Sequence, residues 1–182
     1  LYPGAKLLVA NDDDFTPQKK QAFLTRMKHG NYDAIILNYG QLEKIPLSRK
    51  GRTAILDRAI ADNKKASRSI PRRNSAYTTI GYEEEIERLK NAKKVLPEED
   101  PELRGLCFDD LGIDRLYVDE AQYYKNLRTK TKMHDIVGVS TTGAGKTDGL
   151  FEKCQYLNNK THYKGVIFAT GTPISNSVTE LY

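Results

Sequence analysis

The sequence predicts an α/β fold built on a parallel sheet, and three observations predict it. Apolar runs of strand length alternate with helical patterns: a run from Ala5 to Ala10, a helical apolar face, then Asp33 to Tyr39. The run Ala34-Ile-Ile-Leu37 is continuous rather than alternating, the pattern of a strand covered on both faces. The theme repeats further on, with a strand at 115–119, a helical stretch near 149–159 and a strand at 165–169. Strand, helix, strand at this spacing is a βαβ unit, whose crossover is almost always right-handed. The expected core is one parallel sheet with four strands.

Taken in order, Thr16-Pro17 supplies an N-cap and a first-turn proline for the first helix. Phe23, Leu24 and Met27 form its apolar face, and Gly30 marks its stop. Between the two βαβ halves the texture changes. Residues 53–67 place Ile55, Leu56, Ala59 and Ile60 on one helical face, and residues 80–96 place Ile86, Leu89 and Leu96 on another. Ser69-Ile-Pro-Arg-Arg-Asn-Ser75 separates them as a turn. This is a helical hairpin over 51–100, inserted into a sheet domain made of 1–50 and 101–182.

The hairpin is electrically lopsided. Its first arm and turn carry Arg49, Lys50, Arg52, Arg58, Lys64, Lys65, Arg68, Arg72 and Arg73, while its second arm begins with Glu83, Glu84 and Glu85. Two readings stand. Clustered Lys and Arg neutralise phosphate and release counterions, which makes a DNA-touching arm. Alternatively, the two helices are solvated and attract each other through opposite charge, and the acidic arm would sit beside any phosphate the basic one recruited.

Composition excludes several classes. With 38% hydrophobic and 29% charged residues among 182, the chain reads as one soluble globular domain rather than a disordered segment. Cys107 and Cys154 are too few and too far apart for a disulfide framework or a zinc site, which fits a reducing, cytoplasmic setting. No run is long enough to span a bilayer, and the amino terminus is not signal-like. Leu1-Tyr2-Pro3 opens almost directly on a strand, as if in the middle of a larger protein. The net charge of +5 is modest, and its distribution says more than its total.

The chemistry gathers at two strand ends. Leu116 to Val118 lead into Asp119 and Glu120, adjacent carboxylates at the carboxyl end of a strand, where open α/β sheets place ligand chemistry. In nucleoside-triphosphate hydrolysis a carboxylate there holds Mg²⁺ and its neighbour polarises the attacking water. The competing explanation is a strand-end acid pair that complements the dipole of the next helix. The run from Gly165 ends in Ala169-Thr-Gly-Thr-Pro173, small and hydroxylated residues suited to a tight turn beside a phosphate or a catalytic water.

Asp119-Glu120-Ala121-Gln122 with Lys125-Asn126, and Ala169-Thr-Gly-Thr-Pro-Ile-Ser-Asn176 with Glu180-Leu181, resemble motifs II and III of superfamily-two helicases. The likeness is to the sucrose-nonfermenting (Swi/Snf) branch of ATP-driven DNA translocases. That branch typically has Asp-Glu-Ala-His followed by Lys-Asn, then Thr-Gly-Thr-Pro, a short gap and Asn. Gln122 stands where His is usual, a variation other superfamily-two branches use. Tyr32-Asp-Ala-Ile-Ile-Leu37 with Gln41-Leu-Glu-Lys-Ile-Pro46 resembles the helicase region of very large bacterial mobile-element proteins, which often accompanies an adenine DNA methylase.

The resemblance implies a RecA-like lobe of the P-loop NTPase type, incomplete in this chain. Asp119 would hold Mg²⁺ through water and Glu120 would activate the attacking water. Gln122 would sense nucleotide, and Thr170, Gly171 and Thr172 would couple hydrolysis to strand movement. Lys125, Arg128 and Lys130 would lie near the DNA track, although a solvated helix face explains that basic run equally well. ATP and Mg²⁺ are implied for the intact protein, with neither held tightly by this segment. The implied partners are DNA, the remaining helicase lobes and a methylase domain, with no membrane. With neither an upstream phosphate loop nor a second lobe to supply an arginine finger, the isolated chain is expected to be nearly inactive, and the edge at Val166, Ile167 and Phe168 is expected to fray or self-associate.

Gly143-Ala-Gly-Lys-Thr147 looks like a phosphate loop, but the first glycine of that pattern is Ser140 here. Its place between the two motifs would permute the sheet, so a flexible polar loop is expected and Lys146 is not assigned to catalysis. A self-contained P-loop kinase or GTPase using Gly143–Thr147 therefore remains a rival, as does a non-catalytic DNA-binding module with a helicase shape. His29, His134 and His162 are scattered and fall at termini or in loops, which points to exposed polar roles.

Overall fold

Residues 3–69, 75–98, 105–124 and 146–171 are described by the computed structural model. They fall into two units, Leu1–Ser48 with Glu99–Ile113 and Arg49–Glu98 with Asp114–Tyr182.

In the first unit, strands β1 (Leu7–Val9) and β2 (Ala34–Ile36) pair in parallel, with Leu7 beside Ala34, Leu8 beside Ile35 and Val9 beside Ile36. The entry to the pair is held by the Lys6 N–H, which donates to Asp33 Oδ2 at 2.7 Å, and by the Asp33 N–H, which donates to the Lys6 carbonyl at 2.9 Å. Helix α1 (Lys20–His29) connects the two strands and buries Phe23, Leu24 and Met27, the face the 3.6-residue period places inward. Its last turn closes where Gly30 donates to the Arg26 carbonyl at 2.8 Å. The short helix α2 (Tyr39–Glu43) follows β2, capped by Asn38, whose side chain accepts from the Gln41 N–H at 2.8 Å.

Two expectations need correction in this unit. Thr16 does not cap α1. A 3₁₀ turn at Asp12–Phe15 takes up the chain first, with the Asn11 N–H donating to Asp14 Oδ2 at 2.9 Å, and Thr16 closes that turn. The Thr16 carbonyl then accepts from Lys19 and Lys20, so the helix starts one turn later than the proline suggests. Nor is β2 covered on both faces: Ala34 and Ile36 are exposed, with Leu7 and Val9 of β1 beside them, while Leu8 is buried. Among the described residues only one face of this two-stranded sheet is packed, so the continuous apolar run does not mark burial on both sides.

The second unit begins with α3 (Arg49–Arg68) and α4 (Ser75–Lys94). Leu56, Ile60, Ile86, Leu89 and Leu96 form one buried cluster between them, with Ala59 and Ala92 packed against it. Burying each such side chain is worth about 1.5–3 kcal/mol, which is what holds two otherwise highly charged helices together. Lys93 Nζ donates to Asp57 Oδ1 at 2.7 Å and fastens the outer edge of the pair. The hairpin is not free-standing. Helix α3 also packs against α5 (Lys146–Thr161), where Arg52 Nε donates at 3.1 Å to Glu152 Oε2, a carboxylate only 2% exposed.

The same unit contains β3 (Leu116–Val118) and β4 (Val166–Phe168), again parallel, with Leu116 beside Val166, Tyr117 beside Ile167 and Val118 beside Phe168. Two consecutive left-handed residues, His162 (φ 52°) and Tyr163 (φ 64°), end α5 and turn the chain towards β4. Gly165 is required there because a Cβ would lie 2.6 Å from Thr161 Oγ1 and 2.9 Å from the Asp114 carbonyl. The four strands thus pair as two separate two-stranded sheets among the described residues, where one four-stranded sheet was expected. The outer edge of β4 has no strand beside it among those residues. Cys107 and Cys154 are buried and form no disulfide among the described residues, and no described helix is long and apolar enough to cross a membrane.

Candidate functional site

The register of β3 and β4 decides what can meet beyond their carboxyl ends. With Val118 beside Phe168, the residues that follow each strand emerge next to each other. The backbone keeps them there: the Ala169 N–H donates to the Val118 carbonyl at 2.8 Å, and the Ala121 N–H donates to the Ala169 carbonyl at 3.0 Å. Two more hydrogen bonds therefore continue the ladder past the last paired residues, and Glu120 to Gln122 is held against Ala169 and Thr170.

Side chains complete the link. Gln122 Nε2 donates to Glu120 Oε2 at 2.5 Å, and Thr170 Oγ1 donates to Gln122 Oε1. The polarity is forced. A carboxylate only accepts, so the amide nitrogen must face Glu120, which turns the amide oxygen towards Thr170, whose hydroxyl can donate. Gln122 thus reads a carboxylate at the end of β3 and a hydroxyl at the end of β4 with one rigid group. It is half-buried, whereas Asp119, Glu120 and Thr170 are exposed.

The backbone at this point is unusual. Glu120 has φ 46°, in the left-handed region, which few non-glycine residues adopt. Its N–H donates to Asp119 Oδ1 at 2.9 Å, which helps hold the turn. Left-handed residues that are not glycine concentrate where a side chain must be aimed in a particular direction. Here that residue leads into the 3₁₀ turn at Ala121–Tyr124, within which Gln122 lies in hydrogen-bond contact with Glu120.

Of the residues the sequence singles out, Glu120, Gln122 and Thr170 are joined by hydrogen bonds and Asp119 adjoins them. Gly171 is exposed, with nothing within 4 Å of where a Cβ would stand. Thr172, Lys125, Arg128 and Lys130 lie outside the described residues, as do Gly143 to Gly145 and His134. Lys146 is the first residue of α5. His29 and His162 are exposed. Sequence reasoning missed two contributors. The Ala169 carbonyl and the Ala121 N–H act through the backbone, and no side-chain pattern announces them. The left-handed turn at Glu120 also gave no signal, since Glu is not a residue that marks such turns.

A family model described as a probable helicase domain matches residues 1–182. The chain belongs to that family. Neither the curated proteins nor the solved structures contain a match to it. Mg²⁺ is tested by the donor set. No group of three or more His, Cys, Asp and Glu that could hold a metal occurs among the described residues, and Mg²⁺ in nucleotide sites needs none, since one or two carboxylates serve beside substrate phosphates and retained water. An exposed Asp119 at the end of β3 fits that donor requirement.

Proposed function

We propose that this helicase domain forms part of the first RecA-like lobe of an ATP-dependent DNA translocase of superfamily two, of the Swi/Snf type, related to the helicase regions of bacterial mobile-element proteins. The observation that carries the reading is the hydrogen-bonded line from Glu120 through Gln122 to Thr170, which joins the two strand ends where the motif-like residues lie. A structural acid pair would need no such line to the neighbouring strand.

In this mechanism Asp119 would hold Mg²⁺, which would supply neutralisation of phosphate charge on the nucleotide. Glu120 accepts a hydrogen bond from the attacking water and aligns it with the γ-phosphate. Gln122 keeps the Glu120 carboxylate aimed and, through Thr170, ties its position to the segment after β4. Loss of the γ-phosphate changes what Glu120 faces, and the Gln122–Thr170 hydrogen bond carries that change towards the DNA side.

The test is DNA-stimulated phosphate release by the full-length protein. Glu120→Gln should keep ATP binding and lower turnover by roughly 10²–10⁴-fold, the usual contribution of a positioned base. Asp119→Asn should lose Mg²⁺-dependent binding. Turnover that survives Glu120→Gln unchanged, or micromolar ATP binding that vanishes in Lys146→Ala, would overturn the proposal and favour a self-contained phosphate loop opening α5.

A further inference from the structure

Helix α3 carries seven Lys and Arg against two Asp, and the structure sorts those charges. Arg52 is taken by Glu152, Arg58 by Asp62 at 3.1 Å, and Asp57 by Lys93. Lys50, Lys64, Lys65 and Arg68 are all exposed, and none has a carboxylate within ion-pair distance among the described residues. Their placement follows the helical period. Lys50, Ala54, Asp57, Ala61, Lys64 and Arg68 recur every three or four residues and all are exposed, so they share one outward face. Its only acid, Asp57, is already neutralised by Lys93.

We infer that this outward face of α3 is a docking strip for the phosphate backbone of duplex DNA. The inference rests on the translocase reading for its partner, and its geometry is its own. A 20-residue helix is about 30 Å long, close to one turn of duplex. The strip has no aromatic residue to stack on an exposed base, so it favours paired over single-stranded DNA. It has no large apolar residue either, which argues against insertion at a membrane surface. Ala54 and Ala61 leave the face flat between the cations. Lysine and arginine tips on a flat polar helix make backbone contacts that carry no sequence information. Of the acidic residues in α4, Glu85 is engaged by Arg88 and Glu87 by Lys90, each within α4 itself, while Glu83 and Glu84 are exposed.

The experiment is nucleotide-free binding of the full-length protein to a 30-base-pair DNA duplex across a series of salt concentrations. The variant Lys50→Gln/Lys64→Gln/Lys65→Gln/Arg68→Gln is compared with Lys6→Gln/Lys28→Gln/Lys44→Gln/Lys164→Gln, which removes as many exposed cations from other surfaces. Each duplex phosphate contact contributes about 0.9 to the slope of log affinity against log salt. The α3 variant should therefore lose about 3–4 from the slope and at least roughly 100-fold in affinity near 100 mM salt, and the matched variant should change the slope by less than about 1. Circular dichroism checks that both variants fold, which is expected because every altered side chain is exposed. Equal losses in the two variants, an unchanged slope in the α3 variant, or tighter binding of a 30-nucleotide single strand or of poly-glutamate would each overturn the inference. Because no ATP is present, such a failure leaves the Glu120 and Asp119 outcomes untouched.

Discussion

The left-handed backbone of Glu120 can be tested without any activity assay. At φ 46° an L-residue carries a steric penalty of about 1–2 kcal/mol from its Cβ, which glycine lacks. Glycine in turn loses more backbone freedom on folding, by roughly 0.5–1 kcal/mol relative to alanine. Replacing Glu120 by alanine and by glycine removes the hydrogen bond from Gln122 in both cases, so that loss cancels in the comparison. What remains favours glycine by ~0.5–1 kcal/mol. In a chain of 182 residues this corresponds to a melting temperature roughly 1–4 °C higher for Glu120→Gly than for Glu120→Ala. Differential scanning calorimetry on the two purified variants reads the difference directly. At an extended or right-handed position the order reverses, because alanine is then the better residue. An alanine variant as stable as the glycine one, or more so, would refute the claim that this turn is left-handed, and with it the account of how the chain passes from β3 into the turn that carries Gln122.

Two further outcomes follow from burial. Leu56 is fully buried in the α3–α4 cluster, so Leu56→Ala should cost about 2–5 kcal/mol in urea unfolding while Leu56→Met costs less than about 1.5; equal small losses would mean that the hairpin does not share one core. Burial also pushes the Cys154 thiol up to about 12 from 9.0, with Lys153 pulling it the other way. The unfolded thiol ionises first, so this contribution to stability is fully present below pH 9 and is lost as pH rises towards 12, by at most about 1.4 kcal/mol per pH unit. The stability of Cys154→Ala should therefore fall less steeply over that window than that of the unaltered chain, as read by paired melting curves, and parallel curves would show that the thiol ionises as easily folded as unfolded.

Periodicity made most elements legible. The inward faces of α1, α3 and α4 are the residues the 3.6-residue pattern selects, and each three-residue strand lies inside an apolar run. What periodicity could not supply was anything decided by distant residues. Whether Ala34 and Ile36 are covered depends on what packs over the sheet, not on their own apolarity. The start of α1 depends on Asn11 and Asp14 claiming the preceding turn. The Arg52–Glu152 pair joins residues 100 positions apart, and neither stands out among the many charges of its helix. Sequence alone therefore treated the hairpin as a separate insertion, although α3 packs on α5 within the same unit as β3 and β4. At the candidate site the residue types were readable and their connection was not. Gln122 and Thr170 could be assigned to linked tasks from their motifs, but that one touches the other follows only from the Val118–Phe168 register.

That contact also bears on why a glutamine can stand where histidine is usual in the resembling helicases. The position must offer a donor to Glu120 and an acceptor to Thr170 at the same time. A neutral imidazole can do this with its two ring nitrogens, but on protonation both become donors and the acceptor is lost. A primary amide presents the same donor and acceptor on one planar group and does not titrate. Glutamine thus preserves the polarity of the line from Glu120 to Thr170 without the reversal that protonation of an imidazole would bring. The substitution is therefore compatible with an intact link between the two strands, and the half-buried position of Gln122 between an exposed carboxylate and an exposed hydroxyl is where such a link has to sit.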